Sequence, residues 1–212
     1  MKARQILAVL VVVAAAASAR ASIKFWDCAP DNDGAVQNCA PTLDGNADSG
    51  YALRIDETLT SDPGHVLGEF QTDSITDPTV TFDVNVTNST GYAWSGYQFN
   101  MYMDQPFTSS PGTAPSGWTT SATSFPTGSY TDSQGNPFTD MATITFSNVS
   151  GSDVAPGDSA TFGSAVSFSG FFLYTFELEQ IASPVTASPE PATLALLALG
   201  GLALLPRRRT VR

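Results

Sequence analysis

Hydrophobic and polar residues alternate along most of the chain between Tyr51 and Gln180. In Thr79 to Thr87, Val80, Phe82, Val84 and Val86 take every second position, with Thr81, Asp83, Asn85 and Thr87 between them. A period of two puts one set on each face of a β-strand, so this segment predicts a half-buried strand. Asn88 to Gly91 supplies turn chemistry, and Tyr97, Phe99, Met101 and Met103 then resume the pattern, which predicts a hairpin. Tyr51 to Asp56, Val66 to Phe70, Ala142 to Asn148, Ala155 to Phe168 and Phe171 to Gln180 are further strand segments. In the last, Phe172, Tyr174, Phe176 and Leu178 are expected to face inward, with Glu177 and Glu179 on a solvated edge. Pro106 to Pro137 is too long for a structureless loop, so one or two short strands are expected near Gly117 to Phe125. Strands with one oily face must bury it against a second sheet. The fold class is therefore mainly β: an antiparallel β-sandwich, immunoglobulin-like or jelly-roll-like.

The two ends of the chain break this pattern. Met1 to Ala21 has a basic start at Lys2 and Arg4, an apolar stretch from Ile6 to Ala16, and small residues in two overlapping Ala-x-Ala frames. That is the layout of a secretory signal peptide, with cleavage expected after Ala21. At the other end, Pro189-Glu190-Pro191 precedes an uncharged run from Ala192 to Leu205, followed by Arg207, Arg208, Arg209 and Arg212. As a helix the run would span about 21 Å against a hydrocarbon core of about 30 Å, short enough to need bilayer thinning and snorkelling arginines. The arginines would hold their end in the cytoplasm and leave everything before Pro189 across the membrane. The expected division is a signal peptide at 1–21, an exported domain at 22–182, a linker at 183–188 and an anchor segment at 189–212.

In its order of parts the tail resembles the PEP-CTERM sorting signal of Gram-negative bacteria. The resemblance covers about the last tenth of the chain. It implies an exosortase as partner, processing near Pro189, Glu190 and Pro191, and association with exopolysaccharide and biofilm. The expected path is export through signal peptidase and the general secretion machinery, anchoring in the inner membrane by the C-terminal helix, then display or release outside the cell.

Charge sharpens the picture. The whole chain carries −11, but the exported part keeps only Lys24 and Arg54 against nineteen acidic residues, a formal charge of −17. Such a surface repels nucleic acid, so no nucleic-acid partner is expected. Cys28 and Cys39, the only two cysteines, predict one disulfide around a short Asp/Asn/Gly-rich loop in an oxidising compartment. With His65 as the single histidine, zinc and a Cys-His nucleophile are not expected, and His65 itself reads as a turn residue. Asp44, Asn46 and Asp48 alternate on a Gly-containing loop, as in the first half of a calcium loop, but Ile55 stands where a bidentate Glu would be needed; an Asx-rich surface loop is the competing reading. No cofactor is required beyond that candidate calcium. Trp118, Phe125 and Tyr130, on a Ser/Thr-rich stretch, are candidate stacking platforms for sugar rings, or else pins holding the loop to the core. These features predict a non-enzymatic structural or adhesive matrix protein. A carbohydrate-binding module is the alternative and a secreted hydrolase the third reading.

Overall fold

The computed structural model describes residues 22–46, 49–72, 79–168 and 170–185, and the elements found among them are strands. In chain order these are β1 (Ile23–Pro30), β2 (Val36–Asn46), β3 (Gly50–Leu59), β4 (Gly64–Thr72), β5 (Thr79–Asn88), β6 (Trp94–Met103) and β7 (Phe107–Pro111). They continue with β8 (Trp118–Ser124), β9 (Tyr130–Thr131), β10 (Pro137–Phe138), β11 (Asp140–Asn148), β12 (Ser159–Phe168) and β13 (Leu173–Pro184). One sheet runs β1-β4-β13-β6-β11-β8, the other β2-β3-β5-β12-β7, and β9 with β10 forms a separate two-stranded ribbon. The expected signal peptide, the Pro-Glu-Pro tail with its arginines, and Asp48 lie outside the described residues.

The alternation read from the sequence becomes the core. Val80, Phe82, Val84 and Val86 of β5 are fully buried, as are Phe99, Met101 and Met103 of β6 and Tyr174, Phe176 and Leu178 of β13. Aromatic rings bridge the two sheets. Phe162 of β12 stacks on Tyr97 of β6 with centroids 4.3 Å apart and meets Phe146 of β11 at 5.0 Å. Phe176 lies 5.5 Å from Phe82 and 5.2 Å from Phe70. Just before β13, Phe172 is 54% exposed, so the inward set begins at Tyr174 rather than Phe172.

The structure corrects three expectations about connection. β5 and β6 are not a hairpin: they belong to different sheets, and Asn88 to Gly91 crosses between them. Asn88 holds that crossing, accepting from the backbone N–H and hydroxyl of Thr90 (both 2.9 Å) and donating to the carbonyls of Tyr92 (2.8 Å) and Val154 (2.9 Å). The oily faces therefore meet across the core instead of lying side by side. The sheets are antiparallel except for β3 and β5, which run parallel because the chain leaves for the other sheet as β4 before returning. The expected linker also starts too early, since Ser183 and Pro184 still pair with Gly96 and Trp94.

The expected disulfide is absent; Cys28 and Cys39 are free thiols. β1 and β2 belong to different sheets, and Cys39 sits at a register break between Gln37 and Ala40, where Asn38 has a φ of 54°. There the side chains interact without a covalent bond, and Cys39 followed by burial pushes the Cys28 thiol up.

One carboxyl is trapped between the sheets. Glu57 of β3 is buried, neither of its oxygens makes a hydrogen bond of ordinary geometry, and burial pushes it from 4.5 up to about 7, offset only in part by Gln180. Because the folded value is raised, its contribution to stability is fully present below pH 4.5 and is lost as pH rises through 7. Denaturation of the wild type and Glu57→Gln at pH 4 and pH 8 should agree closely at the lower pH. At pH 8 the variant should be more stable, by on the order of 2–3 kcal/mol. Parallel profiles would show that Glu57 is not buried as an ionisable group.

Candidate functional site

Alternation places a second set of residues on the face of the six-stranded sheet that points away from the core. Along β13 the buried apolar Phe176 and Leu178 alternate with Glu177 and Glu179, and register brings His65 of β4 and Asn100 of β6 to either side of Glu179. Tyr102 of β6 stands opposite Glu177. The β9–β10 ribbon and its turn lie over this row, with Phe138 5.4 Å from the ring of Tyr102. Glu177, Glu179 and His65 are consequently buried, at 0, 3 and 2% exposure. The solvated edge and the turn histidine expected from the sequence are both overturned, because β13 is a central strand and its second face is roofed.

The roof is held by polar contacts. The Ser133 backbone N–H donates to Glu179 Oε1 (3.2 Å), while the Asn100 amide (2.8 Å) and the Tyr102 hydroxyl (3.3 Å) donate to Oε2. Thr143 in turn donates to Asn100 Oδ1 at 3.0 Å. Asp132 closes the ribbon's turn by accepting from the N–H groups of Gln134 (2.9 Å) and Asn136 (2.7 Å). Gln134 reaches across to the β1–β2 loop, its amide donating to Asp31 Oδ2 and to His65 Nδ1, the latter at 3.1 Å. An amide N–H only donates, so Nδ1 accepts and Nε2 carries the proton, which goes to Ser133 Oγ at 2.9 Å.

Four carboxyl groups thus surround one imidazole. His65 Nδ1 is 3.5 Å from Asp31 Oδ2 and 3.6 Å from Asp33 Oδ2; Nε2 is 3.5 Å from Glu179 Oε1 and 4.0 Å from Glu177 Oε1. Burial pushes Glu177 up to about 8, reinforced by Asp132, Glu179 and Asp31. Neither of its oxygens finds a donor among the described residues, since its neighbour Asp132 is itself an acceptor. A proton held on Glu177 and shared with Asp132 relieves the pair. Burial also acts against Asp132 and Glu179, but their hydrogen bonds outweigh it and hold both carboxyls below the usual range. Asp31 follows the same rule, with the Asp33 N–H and the Gln134 amide outweighing burial. Among the described residues, Asp31, Asp33 and His65 form the group able to hold a metal ion.

The residues singled out from the sequence lie elsewhere. Asp44 is paired with Arg54 (3.4 Å) on the exposed β2–β3 hairpin, and Asn46 Oδ1 accepts from the Ser49 N–H at 3.1 Å. Trp118 is no stacking platform: it is 8% exposed, donates from Nε1 to the Ser152 carbonyl (3.0 Å) and packs edge-on to Phe162. Phe125 is exposed beside Tyr130, with rings 6.2 Å apart and tilted by 52°. The cluster has a legible signal in Asp31-Asn32-Asp33-Gly34, two acids two positions apart before a Gly, inside the short Asp/Asn/Gly-rich loop between the cysteines.

Comparison with known protein families, curated proteins and solved structures finds no match.

Replacing Glu179 with Leu leaves the Asn100 amide, the Tyr102 hydroxyl and the Ser133 N–H without their acceptor. A stability loss of about 3 kcal/mol is expected in urea unfolding. Hydrogen exchange should show residues 132–136 losing protection while the core amides of β5 and β12 keep theirs. Uniform loss of protection would mean that the ribbon and sheet are one cooperative unit.

Proposed function

We propose that the chain is an exported, exosortase-sorted component of the cell surface or extracellular matrix, non-enzymatic, with its β-domain acting as a structural or adhesive unit associated with exopolysaccharide. The observation that carries this reading is the ordered tail: Pro189-Glu190-Pro191, fourteen uncharged residues, then four arginines. A signal-peptide layout at the start and a charge of −17 between the ends agree with it. The two facing sheets support an immunoglobulin-like or jelly-roll-like relationship for the exported domain. A carbohydrate-binding reading retains Phe125 and Tyr130 and loses Trp118, which leaves it the weaker of the two.

Replacement of Pro189-Glu190-Pro191 by three alanines in a cell that makes an exosortase tests the proposal. The wild-type chain should be recovered outside the inner membrane with a mass lacking both the first 21 residues and the basic tail. The variant should stay in the inner-membrane fraction with its tail intact. Identical processing of the two would overturn the assignment.

A further inference from the structure

The β1–β2 loop presents its two acids as ligands. Asp31 Oδ1 accepts from the Asp33 N–H (3.0 Å) and Asp33 Oδ1 from the Ala35 N–H (2.6 Å), so each carboxylate has one oxygen fixed by the backbone. The other oxygen of each faces His65 Nδ1, at 3.5 and 3.6 Å. Four ligands at about 2.1 Å around a tetrahedral ion stand about 3.4 Å apart, close to both separations from Nδ1, and the three ligand atoms lie within 4.8 Å of one another. We propose that Asp31 Oδ2, Asp33 Oδ2 and His65 Nδ1 bind a first-row divalent cation of the zinc or manganese class, with the Gln134 amide turning to supply its oxygen as the fourth ligand.

Two further observations point to a cation. Glu177 is completely buried, shares its proton with Asp132, and holds Oε1 4.0 Å from Nε2 of the same imidazole. A cation on Nδ1 would make the opposite N–H a stronger donor toward Ser133, Glu179 and Glu177, as partners on the far nitrogen of a ligating histidine do. Among the described side chains the nest has no basic counter-charge: Arg54 is paired with Asp44 on the other sheet. The Gln134 amide donates to Asp31 and His65 and so presents a positive edge at this position. A mixed nitrogen and oxygen set with a single imidazole suits zinc or manganese better than calcium, which takes six to eight oxygens. Asp33, whose side chain is 36% exposed, provides the entry. Once bound, the ion ties the β1–β2 loop, β4 and the β9–β10 ribbon together.

The test uses the full chain, purified in detergent without a histidine tag, stripped with a chelator and titrated with Zn2+, Mn2+ and Ca2+ by calorimetry. One equivalent of Zn2+ or Mn2+ should bind with micromolar or tighter affinity and raise the melting temperature. Ca2+ should bind at least tenfold more weakly. Asp33→Asn and His65→Gln should each weaken binding tenfold or more, and Asp44→Asn should leave it unchanged. Should His65→Gln fail to fold, the half-exposed Asp33 variant and the visible spectrum of Co2+ on the wild type still decide, because four-coordinate bands that vanish in Asp33→Asn require this ligand set. Absence of binding below millimolar concentrations, preference for Ca2+, or affinity unaffected by Asp33→Asn would each overturn the proposal.

Discussion

Strand β13 holds the middle of the six-stranded sheet, and its register is the constraint on which the remaining architecture depends. Its inward residues, Tyr174, Phe176 and Leu178, contact the opposing sheet, while its outward residues, Glu177 and Glu179, meet the polar ribbon. The two faces differ by one position. A slip of a single residue would carry two carboxylates into the core and three large apolar side chains out of it, each of the latter contributing about 2–3 kcal/mol when buried. Antiparallel pairing on both sides, with β4 and with β6, fixes the register twice. That double pairing sets Glu179 level with His65 and Asn100 and so builds the outer cluster as a by-product of core packing.

Burial of so many acids needs an explanation in a domain with so few bases. The costs are met in two ways. Glu179, Asp132 and Asp31 receive enough N–H and O–H donors to remain ionised under the ribbon. Glu57 and Glu177 receive none of ordinary geometry, and the raised values of both carboxyls follow from that lack. These two acids therefore mark where the fold carries electrostatic stress, one between the sheets and one beneath the ribbon. The stress beneath the ribbon lies beside the imidazole on which the Asp31 and Asp33 oxygens converge, so a cation there would relieve it and clamp three elements together.

Period-two alternation made the strands of the core legible, because burying one face of a sheet leaves a signature in every second residue. It could not show which strands pair. Thr79 to Thr87 and Tyr97 to Met103 have the pattern of a hairpin, yet Asn88 turns the chain into the other sheet, a choice made by contacts to Tyr92 and Val154 that no local pattern contains. The same limit hid the site. Glu177 and Glu179 look like free charges on an edge unless it is known that β13 is central and that a ribbon some forty residues earlier in the chain folds over them. His65 follows a Pro-Gly turn and by sequence belongs with it, although it lies in the first positions of the strand beyond. Trp118 belongs to a polar stretch by composition, but its ring completes the aromatic cluster around Phe162.

The central claim is that one strand presents a core on one side and a sealed acidic nest on the other. Carbon-detected NMR titration of the glutamate side-chain carboxyls tests it most directly. Glu177 should titrate near 8 while Glu179 titrates below 4.5. If both titrate together near 4.5, as solvated carboxyls on an open edge would, the ribbon does not cover the sheet and the account is wrong.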